Sequence, residues 1–349
     1  MKNTVISSII AGMFCLLSMA SCSSPAQQDN DLKLSENWFI QSSAEICHDG
    51  AALSDGSVGC EGWYKASVPS TVMGVLTAEN GEYEDAFVGR NYAEIDRERF
   101  DTAWWYRTSF DVPALKEGQR AELAFDGVSY RADVWLNGVQ IASADEFYGP
   151  FRQFSFDVTD ALKESNNLAV RIHRWQKGEF NIGFVDWNPR PVDESMGIFR
   201  PVWLKYSNEV AMKNPVVRSK VDTVSFDEAW LTVEATLCNA SDRNISGKLC
   251  GKYEEGSFSY PVELAAGETK TVSLTADQIK RLHVKNPRLW WCHNLGNPEM
   301  YSMELSFVAD GKVSDSQIVD FGIRQLDSWF NEDGYRGFIL NGKKVLIKG

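Results

Sequence analysis

The segment from residue 185 to residue 200 concentrates side chains that can bind a polyhydroxylated ligand. It contains two carboxylates, Asp186 and Asp193, which can accept hydrogen bonds from hydroxyl groups, and Trp187, whose apolar face can stack on a sugar ring. Pro189 and Pro191 restrict the backbone of this segment and Gly197 permits an unusual turn, as expected of a functional loop. We therefore predict Asp186, Trp187 and Asp193 as substrate-binding residues. The alternative interpretation is a surface turn with Trp187 packed beneath it.

The other residues with chemical potential do not form a recognisable site. The four histidines are scattered, and no Cys/His spacing is typical of a metal centre, so we expect neither metal nor cofactor. Acidic residues are so numerous that no catalytic pair can be singled out. Two pairs of cysteines lie close enough in sequence to form disulfides in an exported protein, but connectivity stays open. These pairs are Cys47 with Cys60 and Cys238 with Cys250.

Length and charge narrow the class of protein. The chain has 349 residues, which suggests two or more domains. The formal net charge is −13 and no stretch is strongly basic, so nucleic-acid binding is disfavoured.

The N-terminus has the pattern of a bacterial lipoprotein signal. Lys2 provides a positive charge, an apolar run follows from Val5 to Leu17, and small residues precede Cys22. We predict a signal in residues 1–22, with Cys22 as the lipidated residue, and a polar tether in residues 23–31. This organisation implies an exported lipoprotein of the periplasm or outer membrane, attached to the membrane through its lipid. The alternative is an ordinary secretory signal cleaved nearby.

The residues after the tether have the pattern of an all-β protein. Short alternating runs are separated by turn residues, as in Trp104 to Val112, and Asn137-Gly138 predicts a tight hairpin turn. A first sandwich is predicted for residues 32–207. Regularly spaced strands then predict an immunoglobulin-like sandwich for residues 208–323. The predicted strands are Val216 to Val224, Ala229 to Cys238, Ser246 to Tyr253, Lys270 to Leu274 and Tyr301 to Ala309. A hairpin around Asn341-Gly342 is predicted within residues 324–349.

Several runs resemble glycoside hydrolase family 2, and they occur in the order found in that family. Each run is short, but together they extend over nearly all residues after position 32. They are Val68-Pro69-Ser70-Thr71-Val72, Trp104-Trp105-Tyr106-Arg107, Gly127 to Gly138, Asn286 to Trp291, Pro298 to Tyr301, Phe321 to Arg324, and Phe338 to Gly349.

The segment from Val185 to Arg200 resembles one branch of this family. That branch contains the β-mannosidases and exo-β-glucosaminidases, including endo-β-mannosidases that act on mannosylglycoproteins, and its corresponding loop extends towards the active-site pocket. The resemblance implies an N-terminal galactose-binding-like jelly-roll sandwich, an immunoglobulin-like sandwich, and then the first hairpin of a truncated (β/α)₈ barrel. It also implies an oligosaccharide or glycan substrate.

The resemblance implies a retaining mechanism for the full-length protein. One glutamate protonates the glycosidic oxygen while a second attacks the anomeric carbon, and both carboxyls lie about 5 Å apart. In the family both come from the barrel. We therefore expect no catalytic residue in this chain and no hydrolysis by the chain alone. The alternative function is a stand-alone carbohydrate-binding lipoprotein, and a structural envelope protein fits the order of motifs less well.

Overall fold

The computed structural model of the chain describes residues 31–83, 85–180 and 190–347. The predicted all-β architecture is confirmed, since strands form nearly all the regular structure of these residues. Within those ranges, no helix is long and apolar enough to cross a bilayer. The predicted lipoprotein signal, Cys22 and nearly all of the tether lie outside the described residues.

The first half of the described chain forms twelve strands. They are β1 (Leu32–Lys33), β2 (Trp38–Ser42), β3 (Tyr64–Ala66), β4 (Ser70–Thr71), β5 (Trp104–Asp111), β6 (Arg120–Phe125), β7 (Arg131–Leu136), β8 (Val139–Ala142), β9 (Phe154–Asp157), β10 (Ser165–His173), β11 (Gly197–Ile198) and β12 (Val202–Ser207). A six-stranded sheet has the order β3-β2-β5-β10-β7-β8, and a four-stranded sheet has the order β1-β12-β6-β9. Strands β4 and β11 pair separately.

The two larger sheets enclose one apolar core. Strand β7 shows the alternation that builds it, because Ala132, Val134 and Leu136 are buried while the residues between them are half-buried. Beyond β7, Asn137 and Gly138 both have positive φ angles, 53° and 87°, as the predicted hairpin turn requires.

Short helical segments lie between the strands. Helix α1 (Gly50–Ser54) begins after Asp49, whose carboxylate accepts a hydrogen bond from the Ala52 amide. Helix α2 (Val72–Gly74) continues as a π-helical turn (Val75–Glu79). Single 3₁₀ turns cover Ser43–Glu45, Asn91–Glu94, Glu98–Phe100 and Lys280–Leu282.

The second half of the described chain forms eleven strands. They are β13 (Val210–Val221), β14 (Glu228–Asn239), β15 (Ile245–Tyr253), β16 (Gly256–Leu264), β17 (Thr269–Thr275), β18 (His283–Lys285), β19 (Tyr301–Ala309), β20 (Lys312–Phe321), β21 (Leu326–Phe330), β22 (Arg336–Leu340) and β23 (Lys343–Val345). One sheet contains β13-β14-β17 with β18 paired to β14, and its partner sheet has the order β16-β15-β19-β20. A second apolar core fills the space between them.

Two strands of this half differ from the prediction. Strand β13 begins at Val210, six residues before the predicted start at Val216. Strand β16 was not predicted, and its composition explains why. It contains two serines and Pro261, and it lies at the edge of its sheet, where such residues are tolerated.

A small third sheet, β21-β22-β23, follows the second sandwich. Its hairpin turn is at Asn341-Gly342, as predicted. The Asn341 side chain is fully buried, accepts a hydrogen bond from the Gln325 amide at 2.7 Å and donates one to the Trp290 carbonyl at 3.1 Å. This asparagine therefore ties the hairpin to the second sandwich.

The structure shows whether the candidate disulfides form and how deeply the tryptophans in or beside the strands are buried. Neither of the two candidate cysteine pairs forms a disulfide. Cys238 and Cys250 lie on opposite sheets of the sandwich, each on the outward side of its strand, so the core separates their sulfurs. Trp104 and Trp105 are buried, whereas Trp135, Trp290 and Trp291 are half-buried.

Candidate functional site

The described part of the candidate ligand-binding segment, residues 190–200, is held at its C-terminal end by backbone pairing. Gly197 and Ile198 form β11, which pairs with Thr71 and Ser70 of β4. Gly197 also exchanges two backbone hydrogen bonds with Ser129, at 2.8 and 2.9 Å. A side chain at position 197 would put its Cβ 2.6 Å from the Thr71 Cα, and φ at this residue is +152°. Only glycine allows the backbones at positions 197 and 71 to lie this close together.

Asp193 anchors the segment from within. Its side chain is buried, and the residue is 2% exposed. One carboxylate oxygen accepts a hydrogen bond from the Met73 amide at 2.8 Å, and the other accepts one from the Ser195 amide at 3.0 Å. Burial raises the pKa of Asp193, while these hydrogen bonds act in the opposite direction. The sequence alone places Asp193 among the ligand contacts, whereas the structure gives its carboxylate internal partners and little access to a ligand.

Asp186 and Trp187 lie outside the described residues, and their role as substrate-binding residues stays a prediction.

Glu194 joins the two chain segments that border residues 181–189. Its carboxylate accepts a hydrogen bond from the Trp175 indole Nε1 at 2.8 Å. The same carboxylate forms an ion pair with the Arg190 guanidinium at 2.8 Å. Arg190 in turn lies over the Trp175 ring, 4.7 Å from its centroid. The Glu194 side chain is only 9% exposed, whereas the Arg190 side chain is 52% exposed, so the carboxylate is largely shielded while the guanidinium reaches solvent.

A second set of contacts holds the backbone at residues 190 and 192. The Tyr92 hydroxyl donates to the Arg190 carbonyl at 3.1 Å and accepts from the Val192 amide at 2.8 Å. The Arg97 guanidinium donates to the same Arg190 carbonyl at 3.0 Å. Burial raises the pKa of Tyr92, so its hydroxyl keeps the proton that it donates here at neutral pH. These contacts come from a stretch of chain about 100 residues away in sequence.

Aromatic side chains with exposed faces lie at the N-terminal border of residues 181–189. Phe180 is 57% exposed and Phe151 is 52% exposed, with their ring centroids 6.2 Å apart. Phe199 contacts Phe151 edge-on, and the Arg200 guanidinium lies over both of these rings. Exposed rings of this kind can contact the apolar faces of a ligand.

The two carboxylates of this site already have partners within the chain. The carboxylates of Asp193 and Glu194 are occupied by internal hydrogen bonds. Over the described ranges, no group of three His, Cys, Asp or Glu side chains could hold a metal ion.

Sequence reasoning did not identify Trp175, Glu194 or Tyr92. The spacing of Arg190 and Glu194, four residues apart, was the one local signal for their ion pair. The partnership with Trp175 and Tyr92 depends on tertiary contacts that no local pattern reveals.

The fold and this anchored loop together define a class of protein: a galactose-binding-like sandwich followed by an immunoglobulin-like sandwich, as in multidomain glycosidases. Residues 38–179 match the family model for the galactose-binding-like domain of glycosyl hydrolase family 2. Residues 210–324 match the model described as glycosyl hydrolases family 2. The chain belongs to glycoside hydrolase family 2, in the branch of the exo-β-D-glucosaminidases and endo-β-mannosidases.

Curated relatives of this branch share extensive sequence similarity with the chain. An exo-β-D-glucosaminidase of Streptomyces avermitilis is 37% identical over 314 residues, which are 89% of this chain and 34% of the relative. A mannosylglycoprotein endo-β-mannosidase of Lilium longiflorum is 29% identical over 356 residues, covering 90% of this chain and 36% of that protein. The chain thus spans about a third of the length of the curated relatives it matches.

A solved structure shares the fold. The crystal structure of the exo-chitosanase of Amycolatopsis orientalis aligns with a TM-score of 0.82 at 31% identity. The alignment covers 92% of this chain and 37% of that enzyme. The similarity is therefore to the N-terminal domains of the relatives, and their catalytic region is not covered by this chain.

Proposed function

We propose that the chain is the N-terminal, non-catalytic part of an exported retaining glycoside hydrolase that acts on β-glucosaminides or β-mannosides. In this proposal Asp186 and Trp187 bind the sugar and form one wall of the pocket. The observation that carries the proposal is the joining of both borders of residues 181–189 by the Glu194 carboxylate. A largely buried carboxylate that connects the two ends of a segment containing Asp186 and Trp187 is a means of positioning these side chains.

The substrate class is supported by the relatives. The most similar of them that we describe is named exo-β-D-glucosaminidase, and a plant relative is named mannosylglycoprotein endo-β-mannosidase. Both have β-linked sugars as substrates by name. We extend that substrate class to the full-length protein, with two glutamates of a (β/α)₈ barrel as nucleophile and acid/base.

The small sheet β21-β22-β23 supports the proposed barrel. We assign β22 and β23 as the first hairpin of that barrel. Phe330, Leu346 and Ile347 beside or within this sheet are 60%, 83% and 62% exposed. Apolar side chains this exposed favour a further layer of structure packed against them.

The second candidate is a stand-alone carbohydrate-binding lipoprotein. Each sandwich has an apolar core of its own, which favours folding without a barrel. The two candidate functions predict different DNA sequences after the codon for Gly349. A reading frame that continues with alternating strands and helices supports the enzyme, and a stop codon supports the binding protein.

Sugar binding can be tested on the chain itself. We expect titration calorimetry to detect binding of the β-1,4-linked glucosamine disaccharide or of mannobiose. Asp186→Asn and Trp187→Ala should weaken that binding at least tenfold, since each removes a contact worth about 1.4 kcal/mol or more. Asp242→Asn, in an exposed turn of the second sandwich, is the matched control and should bind like the parent chain. Equal binding by all variants would refute the assigned contacts.

Catalysis is tested by comparing the chain with the protein encoded by the longer reading frame. We expect release of p-nitrophenol from aryl β-glucosaminide or β-mannoside only by the longer protein. Turnover by the purified chain would overturn the assignment of the catalytic residues to a barrel.

We also propose export and a lipid anchor at Cys22. Metabolic labelling with a radioactive fatty acid should label the parent protein and the Cys15→Ser control. Cys22→Ser should abolish labelling, and retained label would contradict the anchor.

A further inference from the structure

The joint between the two sandwiches is short and bonded to β20. Only residues 208 and 209 separate β12 from β13. The Asn208 amide donates to the Ser314 carbonyl at 2.7 Å, and its side chain donates to the Val313 carbonyl at 2.8 Å. Val210 exchanges hydrogen bonds with the Ser314 hydroxyl, at 2.8 and 2.9 Å. The start of the second sandwich is therefore fixed to the N-terminal end of its own strand β20.

Asp315, the next residue of β20, is a buried carboxyl at this joint. It is 9% exposed and accepts a hydrogen bond from the Met212 amide at 2.6 Å. Burial raises the pKa of Asp315 to about 7, and the carboxylates of Asp31 and Glu122 add to the effect. Asp31 and Glu122 belong to the first sandwich, so both sandwiches determine the charge state of this group.

Acidic groups and lysines face one another across the cleft at the joint. Glu122 of β6 forms an ion pair with Lys213 of β13 at 2.8 Å and accepts a hydrogen bond from the Ser155 hydroxyl. Asp31 accepts a hydrogen bond from the Tyr206 amide at 3.2 Å. The charged residues that line the cleft are Asp31, Glu122, Asp126, Lys205, Lys213 and Asp315. Three acids, Asp31, Glu122 and Asp126, already outnumber the two lysines of the cleft, so ionisation of Asp315 adds a further unbalanced negative charge.

We propose that the joint is a proton-operated hinge, closed while the Asp315 carboxyl is protonated and opening when that proton is released to solvent. Opening of the joint and ionisation of Asp315 are linked. Moving the first sandwich away takes the negative charges of Asp31 and Glu122 out of the cleft that Asp315 lines, and this change favours the ionised form. Ionisation must then favour the open arrangement to the same extent. The inference concerns domain orientation and does not depend on the proposed sugar binding.

The expected size of the pH effect on the opening of the joint follows from the same linkage. If opening returns Asp315 towards its ordinary acidity, the open-to-closed ratio rises by up to tenfold for each pH unit between the two pKa values. The ratio levels off above about pH 7, where Asp315 is ionised in both arrangements.

The hinge can be tested with the full chain by small-angle X-ray scattering and by hydrogen exchange of the Met212 amide, between pH 5.5 and 8.5. We expect the radius of gyration and the intrinsic-rate-corrected exchange at Met212 to increase towards pH 7. Asp315→Asn keeps the acceptor for Met212 without a titrating charge and should stay closed throughout. Asp320→Asn is the matched control, since Asp320 lies on β20 with an exposed side chain, and it should follow the parent chain.

Two results would overturn the hinge: no transition in the parent chain, or an unchanged transition in Asp315→Asn. Should Asp315→Asn fail to fold, Asp31→Asn provides the test. It removes one of the two facing carboxylates and should shift the transition to lower pH, and an unshifted transition would also refute the proposal.

Discussion

The carboxylate of Glu194 and the indole Nε1 of Trp175 are joined by a hydrogen bond of 2.8 Å. This bond connects residues on opposite sides of the segment proposed to contact sugar. Glu194 holds it from a left-handed backbone conformation, with φ of +53°, that non-glycine residues rarely adopt. Such a conformation persists where surrounding contacts compensate for it, as the contacts with Trp175 and Arg190 do here.

Replacing Glu194 should destabilise the first sandwich. Glu194→Ala leaves the Trp175 indole N–H without a partner in a shielded site, and we expect a loss of about 2 kcal/mol in the free energy of unfolding. Glu194→Gln retains an acceptor for Trp175 and should lose less. Urea unfolding followed by tryptophan fluorescence measures the difference. Glu254→Ala, which breaks an exposed ion pair with Arg288, is the control and should have little effect. A loss as small as that of the control would show that the contacts of Glu194 with Trp175 and Arg190 contribute no stability.

Gly197 should not tolerate a side chain. Gly197→Ala would place a Cβ 2.6 Å from the Thr71 Cα and 2.7 Å from the Ser70 carbonyl oxygen. Both are backbone atoms that cannot move aside cheaply, so we expect a loss of more than about 2 kcal/mol in thermal unfolding experiments. Gly118→Ala is the control that distinguishes backbone strain from steric collision. Gly118 also has a positive φ, but an added Cβ there would meet no atom within 4 Å. Equal losses for the two variants would rule out the collision.

The strand framework was predictable because its signals are local. Val134 and its neighbours alternate between core and surface, and Asn137-Gly138 can adopt the positive φ angles of a tight turn. Both features depend on residues adjacent in sequence. Strand β16 was missed because an edge strand buries less apolar surface and so carries a weaker pattern.

The site was predicted less well, for a different physical reason. The residue types near position 190 indicated a functional loop, but nothing local distinguishes a carboxylate that faces a ligand from one that bonds its own backbone. Asp193 is of the second kind, because the Met73 amide that it binds is 120 residues away in sequence. No local sequence feature distinguished Trp175 from the other tryptophans, because only the fold places Glu194 beside it.

The stability of the second sandwich should depend on pH through Asp315. Its pKa is about 7 in the folded chain and near 3.8 when unfolded, so the folded state binds the proton more tightly. Stability therefore falls as pH rises from about 4 to 7, by at most about 1.4 kcal/mol per pH unit, and changes no further above 7. Asp315→Asn should lack this pH-dependent loss of stability. Urea titrations should therefore show the free energy of unfolding of Asp315→Asn rising relative to that of the parent chain from about pH 4 to pH 7. Parallel profiles of the two proteins would contradict the assignment.

Asn341 should determine how firmly the small sheet is attached. Asn341→Ala leaves the half-buried Gln325 amide unpaired and puts alanine at a φ of +45°, for a combined loss of about 2–3 kcal/mol. Asn341→Gly also loses the hydrogen bonds but avoids the strain, so about 1 kcal/mol should be recovered. Hydrogen exchange of β21 to β23 measures the attachment. Protection that survives both substitutions would show that other contacts, such as Lys343 over the Trp291 ring, suffice.

The two-residue connection between the sandwiches has a consequence for how such chains can be recombined. Asn208 is bonded to β20, and Glu209 is paired with Arg243 in the loop after β14. A gene fusion cut between Glu209 and Val210 would separate Asn208 and Glu209 from their partners in the second sandwich, and the fusion protein would lack these contacts. Exchanging both sandwiches together between homologous proteins keeps the joint intact.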